Sequence, residues 1–167
     1  MAGDTGLRIG VLGPLLSVRD GVAVRLPHGR VSVLLAVLAM SAGHPVSVGR
    51  LTELIWSEEQ PERVRATLHT LVARLRGVVP GVVRAGDAYL LDIDPDHVDL
   101  LRFRRLVREA GEAGDQAVAV ELLDQALRLW RGEPLSDLRS AALARELVPG
   151  LEDEHLSAIQ RRIGLDR

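Results

Sequence analysis

The 167-residue sequence predicts an α+β protein in which a small antiparallel sheet, three helices and a β-hairpin are followed by an all-helical part. Three observations predict this order. Short apolar runs separated by Gly and Pro turn signals precede residue 28, and apolar residues recur at helical spacing from Arg30 onwards. A second hairpin signal lies between residues 82 and 93, and every later periodic segment is helical.

Three short strands are expected before residue 28, because the apolar runs there end at turn residues. The dipeptide Asp20-Gly21 is typical of a tight hairpin turn, and Pro27 ends the last run. The expected strands of this antiparallel sheet are Leu7–Leu12, Leu15–Arg19 and Val22–Leu26.

Three helices are expected next. The first begins at Arg30 and ends at Gly43, the second has Trp56 on its apolar face, and Pro61 fits the first turn of the third. A polar loop, Ser57–Gln60, separates the last two. The apolar faces are Val31, Leu34, Leu35, Leu38 and Ala39; Leu51, Leu54, Ile55 and Trp56; and Val64, Leu68, Leu71, Val72 and Leu75.

A hairpin follows the third helix, with Val82–Arg84 and Tyr89–Ile93 as its strands and Ala85-Gly86-Asp87 as its tight tip. Three helices followed by a hairpin form a helix-turn-helix with a wing. The sequence therefore predicts a winged helix-turn-helix that is preceded by an extra antiparallel sheet.

Asp94-Pro95-Asp96 marks the expected boundary between two domains, residues 1–95 and residues 96–167. Helix pairs joined by short loops favour an all-α, tetratricopeptide-like second domain, although no clean internal repeat is present. The first expected helix includes Leu100–Val107 and ends at Gly111 or Gly114, and the second includes Val118–Trp130 and ends at Gly132. The third runs from about Ala141 past Ile159, either continuously or with an interruption at Pro149-Gly150.

The composition excludes several kinds of site. The chain has no cysteine, which excludes disulfides, thiolate metal sites and a cysteine nucleophile. Its first six residues carry no signal segment and no apolar run is long enough to span a membrane, so we expect a cytoplasmic protein without membrane contact.

All 21 basic residues are arginine. Residues 1–91 hold 10 Arg against 7 acidic residues, a net charge of +3, whereas residues 92–167 hold 11 against 16, a net charge of −5. A mildly basic first half permits nucleic-acid binding without demanding it.

No catalytic or metal site is expected. The five histidines are scattered, Asp92–Asp96 lacks the glycine and the glutamate of a calcium loop, and no nucleophile or phosphate-loop motif is present. We therefore expect no enzyme activity and no cofactor. Trp56 and Trp130 both fall on predicted apolar helix stripes, which favours core packing over ligand stacking.

The stretches that carry a family resemblance are Gly29-Arg30 with Leu34–Leu38; Val46–Val48 with Leu51, Leu54, Trp56, Pro61, Thr67-Leu68 and Arg74–Arg76; Tyr89–Leu91 with Asp94–Asp96, Val98-Asp99 and Phe103; and Ala126–Leu135 with Asp137-Leu138. Together they resemble the Streptomyces antibiotic regulatory protein (SARP, AfsR-like) family, which joins an OmpR-type winged helix to a bacterial transcriptional activator domain. The last stretch is similar to the hallmark of that activator domain, although residues 96–167 are a shortened form of it.

This resemblance implies an activator that binds direct repeats in double-stranded promoter DNA, with a head-to-tail homodimer on the DNA, and recruits RNA polymerase holoenzyme to antibiotic gene clusters. It also implies that the loop of Ser57, Glu58, Glu59 and Gln60 contacts RNA polymerase; a plain connecting loop is the alternative interpretation.

The third helix has one side that would enter the major groove in a winged-helix protein. A helical wheel places Val64, Leu68, Leu71, Leu75 and Val79 on the core side, and Glu62, Ala66, His69, Ala73 and Gly77 along the centre of the other side. Arginines at the edges suit phosphates or guanine, and His69 or Thr70 can reach base edges. Counting Arg84 of the wing, the expected DNA-binding residues are Arg63, Arg65, His69, Thr70, Arg74, Arg76 and Arg84.

The centre of this face departs from the family. Family members commonly carry Asn at the position of Ala66, Tyr at Leu71 and Ser at Ala73, and alanine cannot hydrogen-bond a base. Residue chemistry alone fits a solvated helix face as well as a DNA-reading face, and the resemblance favours DNA.

Two rival functions stay open. The first is a repurposed winged helix that has lost DNA binding and binds or transforms a small-molecule pathway intermediate in a pocket between the two domains. The second is an interaction module that binds a partner protein through the helical domain.

Overall fold

The computed structural model describes residues 6–166. Residues 1–5, to which the expected absence of a signal segment mainly refers, and Arg167 lie outside the described part. In chain order the elements are β1 Leu7–Gly10, β2 Leu16–Arg19, β3 Val22–Ala23, α1 Arg30–Met40, β4 Val46–Ser47, α2 Val48–Trp56, α3 Val64–Arg76, β5 Val82–Arg84, β6 Ala88–Leu91, a 3₁₀ turn Pro95–His97, α4 Asp99–Glu112, α5 Gln116–Arg128, α6 Ala141–Glu146 and α7 Val148–Gly164. The predicted fold class is confirmed: an antiparallel sheet, a winged helix-turn-helix and a helical part follow one another.

The N-terminal sheet is an antiparallel meander in the order β1-β2-β3. Asp20 and Gly21 form its tight turn with positive φ angles of 51° and 82°, as the Asp-Gly signal predicts. The third strand is shorter than the expected Val22–Leu26, because its pairing with β2 ends after two residues. It is an edge strand, and its residue Val22 is exposed.

The wing sheet has the order β4-β6-β5. Its strand β4 was not predicted: Val46 pairs with Tyr89, and Ser47 pairs with Ala88. Ser47 then caps α2, because its hydroxyl accepts a hydrogen bond from the Arg50 backbone N–H at 3.1 Å. This short strand therefore connects the base of the wing directly to the helix-turn-helix.

Helix α3 begins at Val64 rather than in the turn of Pro61, so the predicted start was wrong. Arg63 has φ −110° and ψ 63°, outside the helical region. Its carbonyl accepts the first helical hydrogen bond, from the Thr67 N–H at 2.9 Å. Glu62 and Arg63 thus precede the helix and do not share its face.

Helix α5 ends at Arg128 rather than near Gly132, because the Arg131 N–H donates to the Leu12 carbonyl at 2.8 Å instead of continuing the helix. Trp130 therefore lies in the loop after α5, not on the helix stripe that was expected to carry it. Its ring is half-buried, edge-on to Phe103 at 5.3 Å and stacked on His155 at 3.9 Å between centroids. Trp56 ends α2 and is buried as predicted.

The last predicted helix is two helices. The break falls at Leu147, which has φ −114° and ψ −43° and lies between α6 and α7. Pro149 occupies the first turn of α7, where the missing N–H of proline costs nothing. The interruption is therefore slightly earlier than the Pro149-Gly150 dipeptide indicates.

One hydrophobic cluster runs through both halves of the molecule. It joins Leu34 and Leu54 of the helix-turn-helix to Phe103 of α4 and Leu143 of α6. Two polar contacts reinforce this packing: Arg50 and Glu146 form an ion pair at 3.3 Å, and the Ser140 hydroxyl donates to the Leu54 carbonyl at 3.1 Å. The helical part therefore packs directly against α2.

The segment Gly10–Leu15, which we call the strap, is held almost wholly by residues far along the chain. Asp99, at the start of α4, accepts hydrogen bonds from the Val11 and Leu12 N–H groups at 2.8 and 3.0 Å. Burial raises the pKa of Asp99, and hydrogen bonds from Val11, Leu12 and Leu100 oppose that rise. The carboxyl thus connects the end of β1 to the first turn of the helical part.

The loop after α5 holds the other side of the strap. The Leu135 N–H donates to the Gly13 carbonyl at 2.8 Å, and the Leu15 N–H donates to the Asp137 carboxylate at 2.8 Å. Leu135 itself has a positive φ of 55°, a conformation that costs an L-residue about 1–2 kcal/mol. Its buried side chain and its hydrogen bonds to the strap offset that cost.

Replacing Asp99 by alanine should lower the free energy of unfolding by roughly 3 kcal/mol, because two backbone donors of the strap lose their acceptor inside the fold. Urea denaturation followed by circular dichroism measures this change. The matched control is Asp92→Ala, since Asp92 is exposed and its carboxylate has no partner among residues 6–166; we expect a change within about 0.5 kcal/mol. Equal stability losses in the two variants would contradict the role given to Asp99.

Candidate nucleic-acid interface

Helix α3 buries one side and exposes the other. Leu68, Leu71, Val72 and Leu75 are buried in the core, so the wheel assigns the core side correctly. Ala66, His69 and Ala73 are exposed along the opposite side. The side chains that were expected to meet DNA are thus at the surface, with α3 held from behind by the helix-turn-helix core.

The wing contacts the start of this exposed face through one ion pair. Arg65 donates to both carboxylate oxygens of Asp87, at 2.6 and 3.2 Å, and the two side chains are 67% and 64% exposed. This bidentate pair joins the first turn of α3 to the tip of the β5–β6 hairpin. The Arg65 guanidinium holds the pKa of Asp87 below its usual range, and Asp87 raises the pKa of Arg65.

The far end of α3 is joined to the wing by a second contact. The Arg76 Nε donates to the Val82 carbonyl at 3.0 Å, at the start of β5. Between the two contacts, the His69 ring nitrogen lies 3.5 Å from the Tyr89 hydroxyl of β6. Arg65, His69 and Arg76 therefore all face the wing, and the helix and the hairpin form one surface.

The remaining expected residues lie around this surface. Thr70 donates to the Ala66 carbonyl within α3, and Arg84 donates to the Gly86 carbonyl at the wing tip. Arg63 and Arg74 are exposed and form no ion pair within residues 6–166. These two guanidinium groups are available to an anionic partner without breaking an existing contact.

Two participants were missed from the sequence, Asp87 and Tyr89. Asp87 was considered only as part of a turn, and Tyr89 only as a strand residue. Their contacts with α3 depend on how the hairpin folds back across the helix, and local spacing does not show that. The one available signal was a carboxylate in the tip of a predicted wing, beside a helix rich in arginine.

The loop between α2 and α3 is exposed, as expected for Ser57–Gln60. Ser57 turns the chain with a positive φ of 54°, and the Glu59 N–H bonds to the Trp56 carbonyl at 3.0 Å. Glu58, Glu59 and Gln60 are exposed. The loop therefore presents two carboxylates next to the N-terminal end of α3.

A cleft separates the helix-turn-helix from the helical part. It has a volume of about 350 Å³, and Leu54, Leu100 and Leu151 line its apolar surface. The arginines at its rim are already paired, since Arg104 binds Glu154 at 2.8 Å just as Arg50 binds Glu146. We call this space the interdomain cleft.

No group of three His, Asp or Glu side chains within the described range is arranged to hold a metal ion. The aspartates near the 3₁₀ turn have other partners: Asp94 caps the Asp96 N–H at 2.9 Å, and Asp96 binds Arg105 at 2.7 Å. None of the helices within residues 6–166 is both long and apolar enough to cross a membrane.

Known proteins share this architecture. Residues 98–167 match the family model of the bacterial transcriptional activator domain. The chain is 34% identical to the transcriptional regulator RedD of Streptomyces coelicolor over 166 residues, which cover 92% of this chain and 47% of RedD. It is 31% identical to the regulatory protein DnrI of Streptomyces peucetius, covering 96% of this chain and 65% of DnrI.

A solved structure agrees with these relatives. Mycobacterium tuberculosis EmbR, in complex with a low-affinity phosphopeptide, superposes with a TM-score of 0.76 at 28% identity, over 96% of this chain and 44% of EmbR. The chain thus spans about half to two thirds of the length of the regulators named here.

The chain thus shares a winged helix-turn-helix followed by an activator-domain match with proteins that are named transcriptional regulators. More narrowly, residues 98–167 match the bacterial transcriptional activator domain, and the chain as a whole is similar to RedD and DnrI, as the resemblance to the Streptomyces antibiotic regulatory protein family implies. The resemblance found in the sequence is confirmed.

The Asp87 carboxyl should titrate below the ordinary aspartate range, because it accepts two hydrogen bonds from Arg65. The ion pair is then complete above the ordinary aspartate pKa and is lost as the pH falls through the lowered pKa of Asp87. A carbon-13 NMR titration of the carboxyl measures this pKa. In Arg65→Ala it should return towards its usual value, whereas Arg74→Ala should leave it unchanged. An ordinary Asp87 pKa in the unmodified protein would show that the pair does not form.

Proposed function

We propose that this chain is a sequence-specific DNA-binding activator of transcription for a secondary-metabolite gene cluster. It inserts α3 into the major groove of direct repeats in double-stranded promoter DNA. The observation that carries this proposal is the exposed face of α3, with arginines at its edges and the wing beside it. The division into a DNA-binding domain, residues 1–95, and an activator domain, residues 96–167, is part of the same proposal.

Charge and geometry support distinct roles for the seven proposed residues. Arg63 and Arg74 have no ion pair within the described part, so they can neutralise phosphates at the smallest cost. His69 and Thr70 lie further towards the centre of the face and suit base edges. Arg84, at the wing tip, suits the backbone or the minor groove.

Arg65 and Arg76 have a second role in this proposal. Each bonds to the wing in the free protein, through Asp87 and through the Val82 carbonyl. They therefore position the hairpin relative to α3, and their outward N–H groups remain free to meet DNA. Their removal would change both the charge and the shape of the surface.

Ala66 and Ala73 have no side-chain group that can hydrogen-bond a base, and this limits how α3 can recognise a DNA sequence. Both positions are exposed on α3, and alanine can contact only apolar groups such as the thymine methyl. Much of the affinity must then come from phosphate contacts, which makes binding strongly dependent on salt. The net charge of +3 on residues 1–91 agrees in sign with this requirement.

Arg74→Ala should weaken binding to promoter DNA from the gene neighbourhood of this chain and to unrelated DNA about equally. The slope of log affinity against log salt should fall by about 1, because one phosphate contact is lost. Fluorescence anisotropy with labelled duplexes across a salt series measures both effects. Arg139→Ala is the matched control, since Arg139 is exposed on the helical part and is unpaired among residues 6–166. No DNA binding by the folded, unmodified protein at low salt would refute the proposal.

The loop Ser57–Gln60 is the proposed contact with RNA polymerase holoenzyme. Its support is the similarity of the chain to RedD together with the exposure of Glu58, Glu59 and Gln60 beside the start of α3. Two copies bound head to tail on direct repeats would present two such loops on the same DNA. The chemistry of the loop suits a basic patch on its partner.

The double variant Glu58→Ala, Glu59→Ala should lose most activation in a purified transcription assay with RNA polymerase, while binding to promoter DNA stays unchanged or becomes slightly tighter. Removal of two carboxylates near the phosphate path accounts for the second effect. The paired control is Glu133→Ala, an exposed carboxylate in the loop after α5. Full activation by the double variant would identify the loop as a plain connection.

The interdomain cleft is the observation that favours the rival function, binding of a small molecule between the two halves of the protein. A small molecule that filled its 350 Å³ would touch both halves of the protein, and such a volume lies at the lower end of ligand sites. The charged groups at its rim are, however, already paired with each other. This rival gains support only if the folded protein fails to bind DNA.

A further inference from the structure

A second cleft lies where the N-terminal sheet meets the helical part. Its lining comes from β1, β2, the 3₁₀ turn, α4 and the end of α5, and includes no residue of α3 or of the wing. Its volume is about 350 Å³, which is enough for a small ligand. Four arginines lie around it, Arg8, Arg102, Arg128 and Arg131; we call it the basic cleft.

The two carboxylates in the basic cleft, Asp96 and Asp99, offset the charge of these four arginines only in part. Asp96 is bound by Arg105 at 2.7 Å, and Arg105 is not part of the lining. Asp99 receives three backbone N–H groups, and Arg131 approaches it only to 3.9 Å. The cleft therefore keeps a positive charge, although three of its four arginines belong to residues 92–167, which carry a net charge of −5.

Two of the four arginines form no ion pair with residues 6–166, although the charge of Arg102 contributes to lowering the pKa of the nearby Asp96. Arg8 and Arg102 form no ion pair, and the Nε atom of Arg102 is buried without any hydrogen-bond acceptor. A buried guanidinium nitrogen that lacks an acceptor costs free energy, and such atoms in folded proteins call for an explanation. Arg128 is paired with Glu121 at 3.5 Å, so Arg8 and Arg102 are the arginines of the basic cleft that lack an ion pair within the described residues.

The floor of the basic cleft is apolar. Ile9, Leu16, Val18 and Leu129 line it, and Leu16 is 38% exposed. An inorganic anion would satisfy the arginines but would leave these side chains in water. A ligand that fits both features has an anionic group at one end and an apolar body at the other.

We propose that the basic cleft binds a small organic anion, a carboxylate or a phosphate carried on an apolar body. The anionic group pairs with Arg102 and Arg8, and the apolar body covers Leu16 and Val18. Because Arg8 belongs to β1 and Arg102 to α4, the ligand links the N-terminal sheet to the helical part. Its binding would stabilise the contact that the strap makes between them.

Isothermal titration calorimetry on the full chain tests this proposal with four probes. Octanoate and octyl phosphate carry both features, acetate carries only the charge, and 1-octanol carries only the chain. We expect saturable one-to-one binding of octanoate or octyl phosphate, and the tighter of the two identifies the class of anion. Acetate and 1-octanol should each bind at least about tenfold more weakly.

Arg102→Gln and Arg8→Gln should each weaken binding of the better probe by about tenfold or more. Arg8 is exposed, so its replacement leaves the core intact even if Arg102→Gln disturbs folding. Arg108→Gln is the matched control: it removes the same charge from α4, at an exposed position outside the basic cleft, and should leave binding unchanged.

Any one of the following outcomes would overturn the proposal. Equal binding of 1-octanol would mean an apolar surface without anion selectivity, and equal binding of acetate would mean a site for charge alone. Absence of saturable binding by any probe would leave no site at all. Weaker DNA binding by Arg8→Gln and Arg102→Gln, without any binding of the probes, would instead assign these arginines to the DNA backbone.

Discussion

The carboxylate of Asp99 is the contact on which the arrangement of the two halves depends. It lies at the first residue of α4 and accepts backbone N–H groups from the strap on one side and from Leu100 on the other. No helix or sheet ladder serves the Val11 and Leu12 donors, so without this acceptor they would be unpaired inside the fold. The pKa of Asp99 rises because the same burial that makes the carboxylate necessary also removes it from water.

The loop after α5 forms the hydrogen bonds to the strap that Asp99 does not form. Its residues Arg131, Leu135 and Asp137 receive or supply the remaining strap hydrogen bonds, and they belong to the stretch that resembles the hallmark of the activator domain. That stretch therefore has a structural role, because it holds in place the strap, a segment that precedes the winged helix. The shared hydrophobic cluster acts in the same direction, since Leu54 and Leu143 belong to one core. The two halves are therefore joined by packed side chains of one shared core.

Prediction from the sequence is most successful where an element is defined by its own residues. The apolar stripes of α2 and α4, the Asp20-Gly21 turn and the wing hairpin are local patterns, and each is present in the structure. Helix α1 differs from its predicted one-sided stripe, because it is buried on every side from Val31 to Ala39. The errors fall where a distant segment decides the outcome. Trp130 leaves α5 because Arg131 bonds to Leu12 across the molecule, and Arg65 pairs with Asp87 because the hairpin folds over α3. The exposed face of α3 was visible on a wheel, whereas the contacts that hold it to the wing and the arginines around the basic cleft depend on tertiary placement.

The strap also bears on the order in which the molecule can be completed during synthesis. Its hydrogen-bond partners lie 87, 88 and 122 residues further along the chain. The first sheet to leave the ribosome is therefore among the last parts to acquire all its contacts, since Asp137 must emerge before the strap is closed. Until then the strap keeps unpaired backbone groups, and such groups invite pairing with other chains.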